Sequence, residues 1–260
     1  MAHGSDDVPR GRWAVGVVAL VAVALLTGCD PSSTSPGHGH RSRAHQHRTH
    51  QVHPAHHHQH PASPDAVPST AAAAHAELDR LAVRPRPRGT EGYLRAAFGS
   101  DWVDTDGNGC NQRDDVLLRD AVPGSTRVGQ QGGCGHDVLA GTWHDPYTGR
   151  TLTFTDLKDL HQAEAIQIDH IVPLAEAWVA GARGWTHDRR ETFANDLDEL
   201  LAVDGPTNMS KGDGDPAAWR PRQAFQCTYA RRWIAIKARY RLAVDPSEKT
   251  ALDDMLGYCP

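Results

Sequence analysis

The sequence predicts an α+β domain of about 170 residues behind a non-globular N-terminal third. Three observations carry this. Residues 30–70 are Ser, Pro, His, Gln and Arg with almost no large apolar side chains. From Thr90 onward, short strand-like runs alternate with segments of helical period. Turn residues separate them, as in "DGPTN" and "HDPYTG".

The first 28 residues read as a signal peptide. Arg10 and Arg12 precede the apolar run "WAVGVVALVAVALLTG" at 13–28. The run is short for a membrane span. It ends "LLTGC", which resembles a bacterial lipobox with Cys29 as the lipidated residue. Lipid anchoring to the outer face of the cell membrane is the expectation; a retained anchor helix and plain secretion are the alternatives. Residues 29–89 then read as a disordered His/Pro-rich linker, because the composition cannot offset its ordering entropy. Ten of the 17 histidines fall in residues 30–70. A polar tether is favoured there over a metal-scavenging tract. A short helix over 70–82 and the Pro/Arg stretch "VRPRPRG" lead into the body, residues 90–260.

Outside the cytoplasm, cysteines pair. With Cys29 lipidated, Cys110, Cys134, Cys227 and Cys259 remain. Three connectivities are possible. The local one, Cys110–Cys134 and Cys227–Cys259, is favoured. A four-cysteine zinc site is disfavoured because no C-x-x-C pair occurs.

Within the body, "EGYLRAAF" reads as a helix and "GTWHDPYTGRTLTF" as a β-hairpin with Pro146 and Gly149 in its turn. Ile166 and Ile168 alternate with Gln167, the period of a half-buried strand that ends in Asp169-His170. A helix from Leu174 to Ala180 follows, then one capped by Thr186. "ELLAV" at 199–203 is a short buried strand, and a helix is expected from near Asn208. Two helices, roughly 221–241 and 246–256, close the chain.

"IDHIVPLAEAW", "FAND", "LLAVDGPTNMSKGD" and "DPAAW" occur in that order. With them, residues 91–260 resemble the HNH endonuclease superfamily, in particular a secreted bacterial branch carrying "DHIVPL" followed by "N-x-S-K-G-D". The resemblance implies a ββα-metal core with flanking helices and metal-dependent hydrolysis of nucleic acid, DNA ahead of RNA. It assigns His170 as general base, and Asp169 and Asn208 as ligands of a divalent metal, Mg²⁺ first and Mn²⁺ as an alternative. The residue types suit the chemistry. An imidazole can take a proton from water near neutral pH. Carboxylate and amide oxygens suit a hard ion that keeps several waters.

The family usually has an asparagine where this chain has Glu199. That residue mainly orients the loop carrying the histidine, and Asn195 in "FAND" is a candidate substitute. A carboxylate there can also bias the His170 proton or add a metal contact. Lys211 is read either as a phosphate contact or as a solvated helix residue. Asp213 and Asp215 are read as caps, and Trp178, Trp185 and Trp219 as packing.

"DTDGNGCNQRDD" at 104–115 places Asp104, Asp106 and Asn108 at positions one, three and five of a Ca²⁺ loop. Asp115 stands where a bidentate Glu is usual. In the relatives a similar stretch reads as a structural part of the branch. Arg113 follows it, a candidate to reach the active site.

The chain carries −5. The body holds 18 Lys/Arg and 26 Asp/Glu, hence −8. Such a balance excludes a protein living on bulk attraction to nucleic acid. Seven basic residues with no acidic one lie between Arg220 and Arg241. Packed by Tyr229, Trp233, Ile236 and Tyr240, that helix is expected to show a basic outer face for phosphates. Two readings compete with the nuclease: a non-catalytic, lipid-anchored metal-binding surface protein, and an inactive HNH-like binding domain.

Overall fold

The computed structural model describes residues 66–99 and 102–260. The signal segment, Cys29 and the His-rich tract lie outside the described residues. Among the described residues no helix is long and apolar enough to cross a membrane.

The described chain is α+β. Helix α1 (Ala71–Leu78) is capped by Thr70, whose hydroxyl accepts from the Ala73 amide. A 3₁₀ turn at Arg95–Phe98 and helix α2 (Gln112–Asp120) follow. Strands β1 (Arg127–Gln131), β2 (Cys134–His144) and β3 (Thr151–Phe154) form an antiparallel sheet in that order. Then come α3 (Leu160–Ala165), β4 (Ile166–His170), α4 (Leu174–Ala180), α5 (His187–Ala194), β5 (Leu200–Asp204) and α6 (Gly205–Lys211). The chain closes with α7 (Gln223–Tyr240) and α8 (Pro246–Leu256).

Strands β4 and β5 pair antiparallel, with Asp169 opposite Leu201 and His170 opposite Leu200. This two-stranded ribbon separates two cores. Successive strand residues point to opposite faces. Leu201 and Val203 therefore join the core built on α1, α4, α5, α7 and α8. Ile166, Ile168, Leu200 and Ala202 join the second core, with Val116, Leu117, Val138 and Trp143. Being covered on both faces explains why β5 reads as an unbroken apolar run.

Four features differ from the sequence expectations. Residues 91–98 form only the 3₁₀ turn, since Gly99 leaves at φ 96°. Helix α6 starts at Gly205, earlier than expected, because Asp204 caps it and Pro206 sits in its first turn. Gly205 is also sterically required: a Cβ there would lie 2.2 Å from the Glu164 carbonyl oxygen. That close approach lays α6 against α3 and β4.

The third difference is where the packed domain begins. Ala74 and Leu78 of α1 are buried in the first core. Val83 bridges Val244, and Arg86 ion-pairs with Glu176 and Asp215. Residues 70–86 are therefore part of the body, not of the linker. The fourth is α7. Its buried Lys237 pairs with Glu176 and Glu248, and Arg239 pairs with Asp196 and Asp198. Arg232 donates to the carbonyls of Asp198 and Leu200, and Arg220 pairs with Asp254. Internal acceptors thus take up much of the charge expected on an outer basic face.

Both disulfides follow the local connectivity, Cys110–Cys134 and Cys227–Cys259. Gly109, at φ 89°, is needed beside the first: a Cβ would meet the Gly133 carbonyl oxygen at 2.4 Å.

Candidate active site

The site forms at the open end of the β4–β5 ribbon. Asp169 and His170, being adjacent on a strand, project to opposite faces. Both nevertheless line one cleft of about 450 Å³, together with Gln167, Asn208 and Arg113.

His170 is held by one hydrogen bond and one ring. Its Nε2 lies 2.9 Å from the Ala194 carbonyl oxygen. A carbonyl can only accept, so this nitrogen carries the proton and Nδ1 keeps its lone pair. Trp102 stacks on the imidazole, with centroids 5.5 Å apart and planes 15° from parallel. Burial pushes the His170 pKa down to about 3, against the raising effect of the Ala194 carbonyl. Beyond the ring lies a second hollow of about 140 Å³, bounded by Arg95, Phe98, Trp102 and Asn195.

The loop after His170 is pinned by Glu199. Its backbone oxygen accepts from the Ile171 amide and its Oε1 from the Val172 amide, each at 2.9 Å. The orienting role expected of an asparagine is thus filled by the glutamate. Burial pushes its carboxyl well above the ordinary range, and Oε2 is buried with no hydrogen-bond partner. Asn195 acts elsewhere. Its Oδ1 accepts from the Val103 amide at 3.1 Å and its Nδ2 donates to the Glu191 carbonyl. It therefore fixes the segment bearing Trp102 and does not replace Glu199.

Asp169 is buried, and both of its carboxylate oxygens accept hydrogen bonds. Lys211 Nζ lies 2.9 Å from each of its carboxylate oxygens and 2.7 Å from the His170 carbonyl. The Tyr147 hydroxyl donates to Oδ2 at 2.5 Å. Burial pushes the Asp169 carboxyl up and the Lys211 ammonium pulls it back. Neither role expected of Lys211 holds: it is 3 % exposed, so it is not a solvated residue, and its ammonium faces Asp169 rather than a phosphate.

Asn208 sits one turn before Lys211 on α6, on the same face. Its Nδ2 donates to Gln167 Oε1 at 3.0 Å. This assignment leaves its Oδ1 uncommitted. Asp169 Oδ1, with one hydrogen bond, keeps a lone pair. The donor set therefore fits a hard cation that retains most of its water and completes its shell with substrate oxygens.

Two other places where a metal could sit fare differently. In the 104–115 loop, Asp104 accepts from the amides of Gly107, Asn108 and Gly109. Asn108 donates to Asp106 and Asp115, and Asp115 also meets His136 Nε2 at 2.7 Å. These contacts make the stretch a self-capped turn leading into α2. The tightest His/Cys cluster among the described residues is Cys110, Cys134 and His136. Its two sulfurs are bonded to each other, so they are not thiolate ligands. Asp215 caps as expected, accepting from Ala217 and Ala218, and Trp178, Trp185 and Trp219 pack on the first core. Tyr147 and Trp102 had no local sequence signal. Tyr147 comes from the β2–β3 turn, 22 residues before Asp169.

Residues 111–255 match the model of a family described as GmrSD restriction endonucleases, C-terminal domain. A protein of Arthroderma benhamiae described as an uncharacterized secreted protein is 41% identical over 201 residues, covering 76% of this chain and 89% of that protein. No solved structure matches the chain.

Proposed function

The chain belongs to the family of GmrSD restriction endonuclease C-terminal domains, and from that premise we propose that it is a metal-dependent HNH nuclease with a ββα-metal site made of β4, β5 and α6. It hydrolyses phosphodiester bonds outside the cytoplasm, DNA ahead of RNA since the family is described by restriction endonucleases. The observation that carries the reading is the His170 tautomer: Nε2 is spent on the Ala194 carbonyl, and Nδ1 is left as a base in a cleft shared with Asp169 and Asn208.

His170 Nδ1 takes a proton from the attacking water, and the Ala194 carbonyl favours the imidazolium that results. Burial keeps the free ring neutral near neutral pH, hence in its accepting form. An approaching anionic phosphodiester favours the protonated ring and so raises its basicity. Trp102, on a segment that Asn195 fixes, holds the ring plane, and Glu199 holds the loop. Asp169 and Asn208 would hold the divalent cation, Mg²⁺ or Mn²⁺, which supplies Lewis-acid stabilisation of charge on the phosphoryl and leaving oxygens. Lys211 balances the Asp169 charge and fixes its orientation.

The two disulfides fit an oxidising compartment, and a relative is described as secreted. Residues 1–28 are proposed as the signal segment and Cys29 as the lipid attachment point. Plasmid digestion with and without EDTA tests the activity. Cleavage that persists in EDTA, or no cleavage under any divalent ion, would sink the reading.

A further inference from the structure

The cleft carries more positive charge than its proposed metal chemistry uses. Asp169 is matched by Lys211 behind it. Of the other charged residues lining the cleft, Arg95 and Arg113 stand against Asp213 alone. This surplus occurs in a chain of net charge −5. Among the described residues, neither arginine has a carboxylate within ion-pair distance, and of the described arginines only these two line the cleft.

Arg113 is preorganised. It sits in the first turn of α2, whose cap is Asn111. Its Nη2 reaches the carbonyls of Ala163 and Ile166 at 3.3 and 3.4 Å, at the start of the strand that carries Asp169. One guanidinium nitrogen is thereby anchored while the rest of the fork stays uncommitted. The nearest opposite charge, Asp114, offsets the burial of Arg113 in part without forming an ion pair, so a cation held this way is better satisfied when an anion completes it. Arg95 is exposed, and it lines both the cleft and the hollow behind His170.

We propose that Arg113 and Arg95 form the phosphate-binding site of this cleft. Arg113 grips the non-bridging oxygens of the phosphate facing His170 through its fork, and Arg95 holds a neighbouring phosphate of the same strand. The proposal rests on the nucleic-acid reading above and extends it to two residues outside the His170, Asp169 and Asn208 set. The same site explains how a body of negative net charge can hold a polyanion: local geometry replaces bulk attraction.

The test measures binding without cleavage. In the full chain with His170→Ala, affinity for a labelled DNA duplex is followed by anisotropy between about 50 and about 300 mM KCl, a range over which the Debye length falls from about 14 to about 6 Å. Arg113→Gln is expected to weaken binding by about 10- to 100-fold and to reduce the slope of log K against log salt by about one. Arg95→Gln reduces the slope by a similar amount. Arg113→Lys keeps the slope but loses affinity, because charge survives and the fork does not. Arg127→Gln, whose guanidinium meets the Thr155 carbonyl outside the cleft, leaves both unchanged. A merely structural Arg113 would lower the melting temperature without moving the slope, and that result overturns the proposal. So does an unchanged slope in both Gln variants, or a parent with no salt-dependent binding. If Arg113→Gln fails to fold, Arg113→Lys and Arg95→Gln decide. A parent that binds in this pattern but cuts nothing defeats the nuclease reading and leaves the phosphate site standing; a parent that cuts while the variants bind normally does the reverse.

Discussion

Lys211 Nζ stands 2.9 Å from both carboxylate oxygens of Asp169, and the two charges are buried together at the end of β4. A buried pair adds little net stability, but breaking it strands a charge. Lys211→Met should therefore destabilise the domain by about 3–5 kcal/mol, measured by urea unfolding. A loss below about 1 kcal/mol, the range of a surface pair, would show that Asp169 does not depend on this partner.

His170 and Asp169 should fail differently. His170→Ala should keep the fold and divalent-ion binding while lowering cleavage by about 10²–10⁴. Asp169→Ala should weaken ion binding itself, seen by calorimetry with Mn²⁺. Equal ion affinities in the two variants would contradict the separation of roles.

Glu199 touches the Val172 amide through Oε1, and its burial favours the neutral acid. Glu199→Gln should thus be nearly silent in cleavage and stability. Glu199→Leu removes the acceptor of a buried amide, at about 1–3 kcal/mol, and should lower cleavage by freeing the His170 loop. Loss of activity in Glu199→Gln would mean that its ionised form is used.

Acid should expose the histidine. The unfolded chain takes up a proton on His170 near pH 6.5, whereas the folded ring resists down to about 3. The folded pKa is depressed, so the stability His170 contributes is complete above about 6.5 and is lost as pH falls towards 3. Unfolding free energy measured across this window should fall more steeply in the parent than in His170→Gln. Parallel curves would place the ring in water.

The N-terminal boundary is open to a direct check. Leu78 is 1 % exposed and packs in the first core. Leu78→Ala should cost about 2–5 kcal/mol, and a chain starting at residue 90 should be less stable still. Equal melting temperatures with and without residues 66–89 would return that stretch to the tether.

What the sequence determined by itself is local. The Ile166–Asp169 strand, the Leu174–Ala180 helix, the Thr186 cap and the two closing helices follow from period, capping residues and turns within a few positions of each other. The grouping of Asp169, His170 and Asn208 was legible through the motifs that carry the family resemblance, which fall on one ribbon and the helix after it. The tertiary structure decided what surrounds them. Tyr147 on Asp169, Trp102 on His170 and Arg113 in the cleft come from other elements. Arg86 reaches Asp215 across 129 positions. The basic run of α7 looked like a surface because its acidic partners, Glu176, Asp196 and Asp198, lie on distant segments. Charge and spacing state what a side chain can bind. Only packing, which sets distance and removes water, states which partner it meets.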